Sequence, residues 1–288
     1  MPSDELKGLT LILTSSHLFY RSILSAETPL AVRPYAPVYP LLSVDVIYGG
    51  GCGKPLLPMP DVGANYRYIV DRISAAAARK GRDITTIKLL AAAKTQSIEL
   101  ILDAIAAGVR LVGENYVQEA EVKKQQISEP VEWHMIGHLQ RNKAKVAVEV
   151  FDVIESLDNI RLARELDKEG KKHNKIVRTL VEVNLAGEEH KTGIATAQVA
   201  SLLEEIGKLS HVHVEGLMTV PPFRENLQEV RPYFRELREL QIKLSERSIP
   251  HVDLRELSMG MTHDYAVAVE EGATIVRIGT ALFGPRKS

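Results

Sequence analysis

"IKLLAAAKTQSIELILDAIAAG", residues 87–108, changes period halfway along. Residues 89–93 form a short apolar run of the length of a buried strand. Beyond it, Ile98, Ile101, Leu102 and Ile105 recur at spacings of three and four and share one helix face. Between the halves stands Lys94, although lysine is among the residues least often found inside a protein. A strand followed by a helix is the first half of a parallel crossover unit, so the fold depends on how often the unit recurs.

It recurs eight times. Strands are expected at 87–94, 109–115, 131–138, 152–158, 176–184, 213–220, 254–260 and 274–282. Amphipathic stretches separate them, including "RPYFRELRELQIKLSERS" (231–248), whose Phe234, Leu237, Leu240 and Leu244 share a face and whose Pro232 suits a first turn. A helix at "ANYRYIVDRISAAAARKG" (64–81) precedes the set and is closed by Gly81. Strands separated by helices pair in parallel, and eight such units close most simply into a (β/α)8 barrel. The rival, an open doubly wound sheet, lacks its glycine-rich strand-to-helix turn and the acidic residue that would follow it.

Residues 1–58 read differently. They hold seven of the chain's 14 prolines and no sustained period, so an irregular or disordered extension is expected before a barrel at 59–288. Met59 offers an alternative start, and mass spectrometry finding peptides from 1–58 would exclude it. "YGGGCGKP" (48–55) fails as a phosphate loop, with Tyr48 at the leading glycine position and Pro55 in place of Ser or Thr. "LTLILTSSHLFY" (9–20) follows the acidic Asp4 and Glu5, the wrong charge for a secretory signal. With a single cysteine among 288 residues, a reducing, cytoplasmic setting is expected. A formal charge of −1 gives no field to gather nucleic acid or anionic membrane, and neither is expected as a partner.

In barrels of this kind function sits where the strands finish. The finishing residues are Lys94, Asn115, His138, Ser156 or Asp158, Asn184, Thr219, Ser258 and Arg277. Polar strand ends are ordinary where a chain meets water, but Lys94 and Arg277 stand out. Strand residues alternate faces, so Leu90, Ala92 and Lys94 point together, as do Ile275, Arg277 and Gly279. In a closed barrel the first and last strands are neighbours. Two cations brought together need an anion between them, or one loses its proton. With small Ala92 below Lys94, the pair suits a flat phosphorylated carbonyl compound. Gly279, Thr280 and Ser258, at the exits of the last two strands, are candidates for its phosphate.

"LLAAAKT", "VGENYVQE" (112–119), "WHMIGHLQRNK" (133–143), "LSMGMTHD" (257–264) and "VRIGTALFG" (276–284) together resemble the signatures of the pyridoxal phosphate homeostasis family. Its members are single-domain relatives of the alanine racemase N-terminal barrel, and the resemblance covers roughly residues 62–288. It implies that Lys94 holds pyridoxal 5′-phosphate as an aldimine. It also implies that Ser258, Gly279 and Thr280 bind the phosphate, that Arg277 approaches the pyridine nitrogen, and that Asn115 and His138 lie near the ring. "HKTG" (190–193) resembles another family stretch to which no contact is assigned.

The same resemblance implies a carrier more than a catalyst. Many enzymes using this cofactor set a carboxylate against the ring nitrogen to keep it protonated, whereas a cationic Arg277 opposes that proton. Racemases of similar pattern add a second domain with an opposing tyrosine, and after Phe283 the sequence continues only as "GPRKS". Tyr116 and Tyr265 are expected to pack. Storage, buffering or delivery of the cofactor to dependent apoenzymes, by a monomer or weak dimer, is the leading expectation. A racemase-like amino-acid enzyme is the alternative, and a phosphate-ligand barrel without covalent chemistry is the third. His134 and His138 share a strand face but have no third partner at zinc spacing.

Overall fold

The computed structural model describes residues 61–188 and 191–285. The extension expected at 1–58, its "YGGGCGKP" stretch and the alternative start at Met59 lie outside the described residues. The order of elements is α1 (Val62–Ala78), β1 (Lys88–Ala92), α2 (Ile98–Ala107), β2 (Leu111–Glu114), α3 (Val117–Gln126), β3 (Glu132–Met135), α4 (Ala144–Val150), β4 (Val153–Leu157) and α5 (Ile160–Lys172). It continues with β5 (Val177–Asn184), β6 (Ile194–Ala195), α6 (Thr196–Ile206), β7 (Val212–Met218), α7 (Leu227–Ser245), β8 (Val252–Met261), α8 (Tyr265–Glu270), β9 (Ile275–Ile278) and α9 (Thr280–Phe283).

Eight of these strands close on themselves in parallel, in the order β1-β2-β3-β4-β5-β7-β8-β9, with β9 paired back on β1. The two-residue β6 only extends the edge of β5. This is the barrel the repeated units predict, with the first and last strands side by side as expected. Most strands are shorter than the apolar runs suggest, because the last residues of each run leave the ladder to form the loops of the carboxyl face.

Helix α7 departs from expectation. It begins at Leu227 rather than near Arg231, because the side chain of Asn226 caps it by accepting from the Gln228 N–H at 3.0 Å. Pro232 is therefore inside the helix, where its missing N–H removes one backbone bond, and not in the first turn.

Two apolar layers result. The larger lies between sheet and helices. The smaller fills the barrel interior with Leu90, Leu111, Val153, Leu180, Met218 and Ile275. Gly113 is needed in that layer, since a β-carbon there would lie 2.3 Å from Leu90 Cδ2. The amino-terminal end of the interior is closed by ion pairs, Lys88 to Glu256 at 2.5 Å and Arg178 to both Glu132 and Glu215. Stability belongs to that end, and chemistry to the other. Among the described residues, no helix is long and apolar enough to cross a membrane.

Candidate functional site

Leu90 and Ile275 belong to the inner layer, so strand alternation directs Ala92, Arg277 and Gly279 inward too. The register sets Leu90 beside Arg277. Two residues further along, a β-carbon at Gly279 would have Ala92 O at 3.6 Å and Ala92 Cβ at 3.7 Å as its nearest neighbours. Ala92 brings only a methyl group and Gly279 no side chain to the barrel interior at that level. Strand β1 ends at Ala92, and Lys94 follows, half-buried, in the turn at that end of the strand. Its neighbour Thr95 has a φ of +62°. A β-branched residue there costs on the order of 1–3 kcal/mol, which the surrounding contacts must outweigh.

Arg277 is almost wholly buried and well bonded. Its Nη1 donates to Ser258 Oγ at 2.6 Å and its Nη2 to the Thr219 carbonyl at 2.7 Å. Its counter-charge is Glu155, 3.9 Å away, which also accepts the Ser258 hydroxyl at 2.5 Å. The other Glu155 oxygen meets His134 Nδ1 at 2.6 Å. Beyond it, His134 Nε2 lies 3.8 Å from Glu132, too far for a hydrogen bond. A line of alternating charge thus runs along the barrel interior, Arg277–Glu155–His134–Glu132–Arg178.

Electrostatics follow from that line. Burial penalises the charged His134 ring, but the carboxylates of Glu132 and Glu155 outweigh it and raise its pKa to about 9. Burial pushes the Glu155 carboxyl up, while His134, Arg277 and Ser258 outweigh that and hold it below its usual range. A histidine with a raised folded pKa contributes stability that is complete below its unfolded value near 6.5 and is lost as pH rises through 9. The barrel is therefore expected to lose about 3 kcal/mol of stability between about pH 6.5 and 9, measurable as a falling urea midpoint. His134→Gln should flatten the loss, and a wild-type midpoint constant across that window would refute the ion chain.

The residues expected from sequence are distributed as follows. Gly279 and Thr280 stand at the junction of β9 and α9, where the backbone leaves the barrel. Ser258 lies deeper, fully buried, its hydroxyl shared between Glu155 and Arg277. Asn115 begins the loop after β2, half-buried, with its backbone so close to Gly137 that a β-carbon there would lie 2.5 Å from Asn115 O. His138 is half exposed in the loop after β3, 3.8 Å from Asp158, and so parts from buried His134. Tyr265 packs as expected, at 5% exposure, but Tyr116 does not: it caps α3 from outside with 59% exposed. Its backbone starts a helix there, and the inward position is taken by Val117.

Sequence reasoning missed two carboxylates. Glu155 alternates with inward Val153, the same signal that marks Arg277, but the apolar residues around it hide it. Glu182, near the exit of β5, is buried and accepts the Thr192 hydroxyl at 2.6 Å. Burial pushes its carboxyl up, and Asp158 adds to that, while Thr192, Arg277 and His138 oppose it. An amine on one rim, a caged guanidinium below and a backbone exit beside small residues together fit a flat carbonyl compound with an acidic tail.

The chain matches the family "Alanine racemase, N-terminal domain" over residues 65–287. It is 46% identical over 220 residues to the pyridoxal phosphate homeostasis protein of Aquifex aeolicus, spanning 76% of this chain and 96% of that one. A crystal structure of an unknown protein from Bifidobacterium adolescentis superposes with a TM-score of 0.74 at 36% identity, covering 77% of this chain and 94% of that one. PipY of Synechococcus elongatus, solved with PLP bound, superposes with a TM-score of 0.67 at 35% identity, over 75% and 100% of the respective chains. With its closed parallel barrel and this degree of identity, the chain belongs to the pyridoxal phosphate homeostasis protein family, built on the alanine racemase N-terminal domain.

Proposed function

We propose that this protein binds pyridoxal 5′-phosphate covalently on Lys94 and serves its homeostasis in the cytoplasm by storing, buffering or delivering it. Amino-acid and keto-acid metabolism, which draw on that cofactor, would feel the effect. The observation that carries the reading is the pairing of the small residues Ala92 and Gly279 at the carboxyl end of neighbouring strands, with Lys94 in the turn just beyond Ala92 and Arg277 on the strand just before Gly279. The cofactor brings an aldehyde that reacts with an amine and a ring that withdraws electrons. Gly279 and Thr280 are assigned to its phosphate and Asn115 to the ring edge. Ser258 completes the set, its hydroxyl anchoring Arg277.

Arg277 supports carriage over turnover. Held by Glu155, Ser258 and Thr219, it is a fixed cation, and set against the ring nitrogen it would disfavour the ring proton that strong electron withdrawal needs. Dependent apoenzymes are the proposed recipients. Glu182 keeps a second reading open, because a buried carboxyl pushed upward near the mouth can act as an acid, as a racemase-like enzyme requires.

The test is direct. Purified protein saturated with the cofactor should show a visible band, and borohydride should fix a pyridoxyl group on the peptide containing Lys94. Colourless protein with no adduct would end the proposal. Racemisation or transamination of free amino acids, lost in Lys94→Ala, would decide for the enzyme. Transfer of the cofactor to an apoenzyme without such turnover would decide for the carrier.

A further inference from the structure

The loop carrying Lys94 is gripped from outside the barrel by charged side chains that do not face the proposed site. Glu114 ends β2 with its side chain turned toward α3 and fully buried. Lys123, also buried, comes from α3 to meet it at 2.6 Å, and the same ammonium donates to the Ala93 carbonyl at 2.9 Å. Glu119, one turn earlier on α3, lies 3.6 Å from Lys123 Nζ and accepts from the Thr95 N–H at 3.3 Å. The residues on both sides of Lys94 are thus tied to one helix.

A buried ion pair is a poor way to stabilise a fold, since apolar residues of similar volume often serve better. This one is also imperfect: Glu114 Oε2 has no hydrogen-bond partner among the described residues. What the pair does provide is direction. The ladder of β1 has already ended, and the turn's main-chain bonds include Ala93 N–H to Gly113 O at 2.8 Å and Gln96 N–H to Ala93 O at 3.0 Å. Thr95, at φ +62°, would relax if released, and the direction of the preceding side chain would change with it.

We infer that Glu114, Lys123 and Glu119 are positioning residues for Lys94, a clamp that holds its amine over the barrel mouth. The inference rests on the reading that Lys94 carries the cofactor. It extends that reading to residues on the far side of the sheet.

The experiment uses the full chain loaded with pyridoxal phosphate. Glu114→Gln combined with Lys123→Met removes the clamp without leaving a buried charge unpaired, and Glu119→Gln loosens its exposed side. The expected result is an adduct still formed on Lys94, but released to a hydroxylamine trap about tenfold faster in the double variant, the scale of one lost charged hydrogen bond. The pH midpoint of the visible band should shift as well, which a purely structural role would not cause. Lys123→Arg should restore part of both. Should the double variant fail to fold, Glu119→Gln alone decides, by faster release at an unchanged melting temperature. Wild-type release rates and pH midpoints in the folded variants would overturn the clamp. A chromophore that survives Lys94→Ala would instead overturn the underlying reading, and with it the clamp's purpose.

Discussion

Glu155→Leu is expected to destabilise the barrel by about 3–5 kcal/mol, the usual cost of removing one partner from a buried charge pair. The carboxylate is wholly buried and touches both His134 and Arg277. Leucine is of similar size, so the loss comes from charge and not from a cavity. Two cations would then face each other along the interior. His134 would relieve this by giving up its proton, leaving only Glu132, 3.8 Å away, to hold it. The variant should therefore show a lower urea midpoint near neutral pH and a weaker decline between about pH 6.5 and 9 than the wild type. Glu155→Gln, which can still accept from Ser258, should fall in between. A leucine variant as stable as the parent would mean that the chain of charges is ornamental.

Lys94→Ala is expected to abolish the visible band and the borohydride adduct while leaving the fold intact, because the lysine sits half-buried in a turn outside the ladder. The affinity for pyridoxal phosphate should drop by at least about a hundredfold, or about 2.7 kcal/mol, with residual binding through the phosphate exit. Gly279→Leu should go further and remove binding altogether, by another route. A β-carbon at that position is tolerated, 3.6 Å from Ala92 O, but a larger side chain would occupy the space over Ala92 that a ring needs. The two variants separate under equilibrium dialysis: the alanine variant should retain weak binding, and the leucine variant none. Circular dichroism checks the fold in each. Full binding in Gly279→Leu would place the ligand elsewhere.

How far the sequence could be read depended on the kind of interaction. Helix α7 illustrates the limit for local structure: Asn226 starts it by a side-chain bond, and the stabilising face of Phe234 and Leu237 carries Pro232 along inside. The apolar spacing located the face but not the end. Tyr116 illustrates the limit for orientation, since one backbone step at the start of α3 turns it outward.

The (β/α)8 barrel, the neighbouring first and last strands and the shared facing of Leu90 with Ala92 and of Ile275 with Arg277 and Gly279 followed from periodicity alone; that these faces are the inner ones came from the closed barrel. Alternation and helical spacing are local properties, repeated eight times, and each repeat states the same answer. Only the closed barrel decided that Glu155 neutralises Arg277, that Ser258 bridges them, and that Lys123 holds the turn before Lys94. Those partners are separated by up to 122 residues, Glu155 to Arg277, and a charge buried in the interior must pair with whatever the chain topology brings within reach.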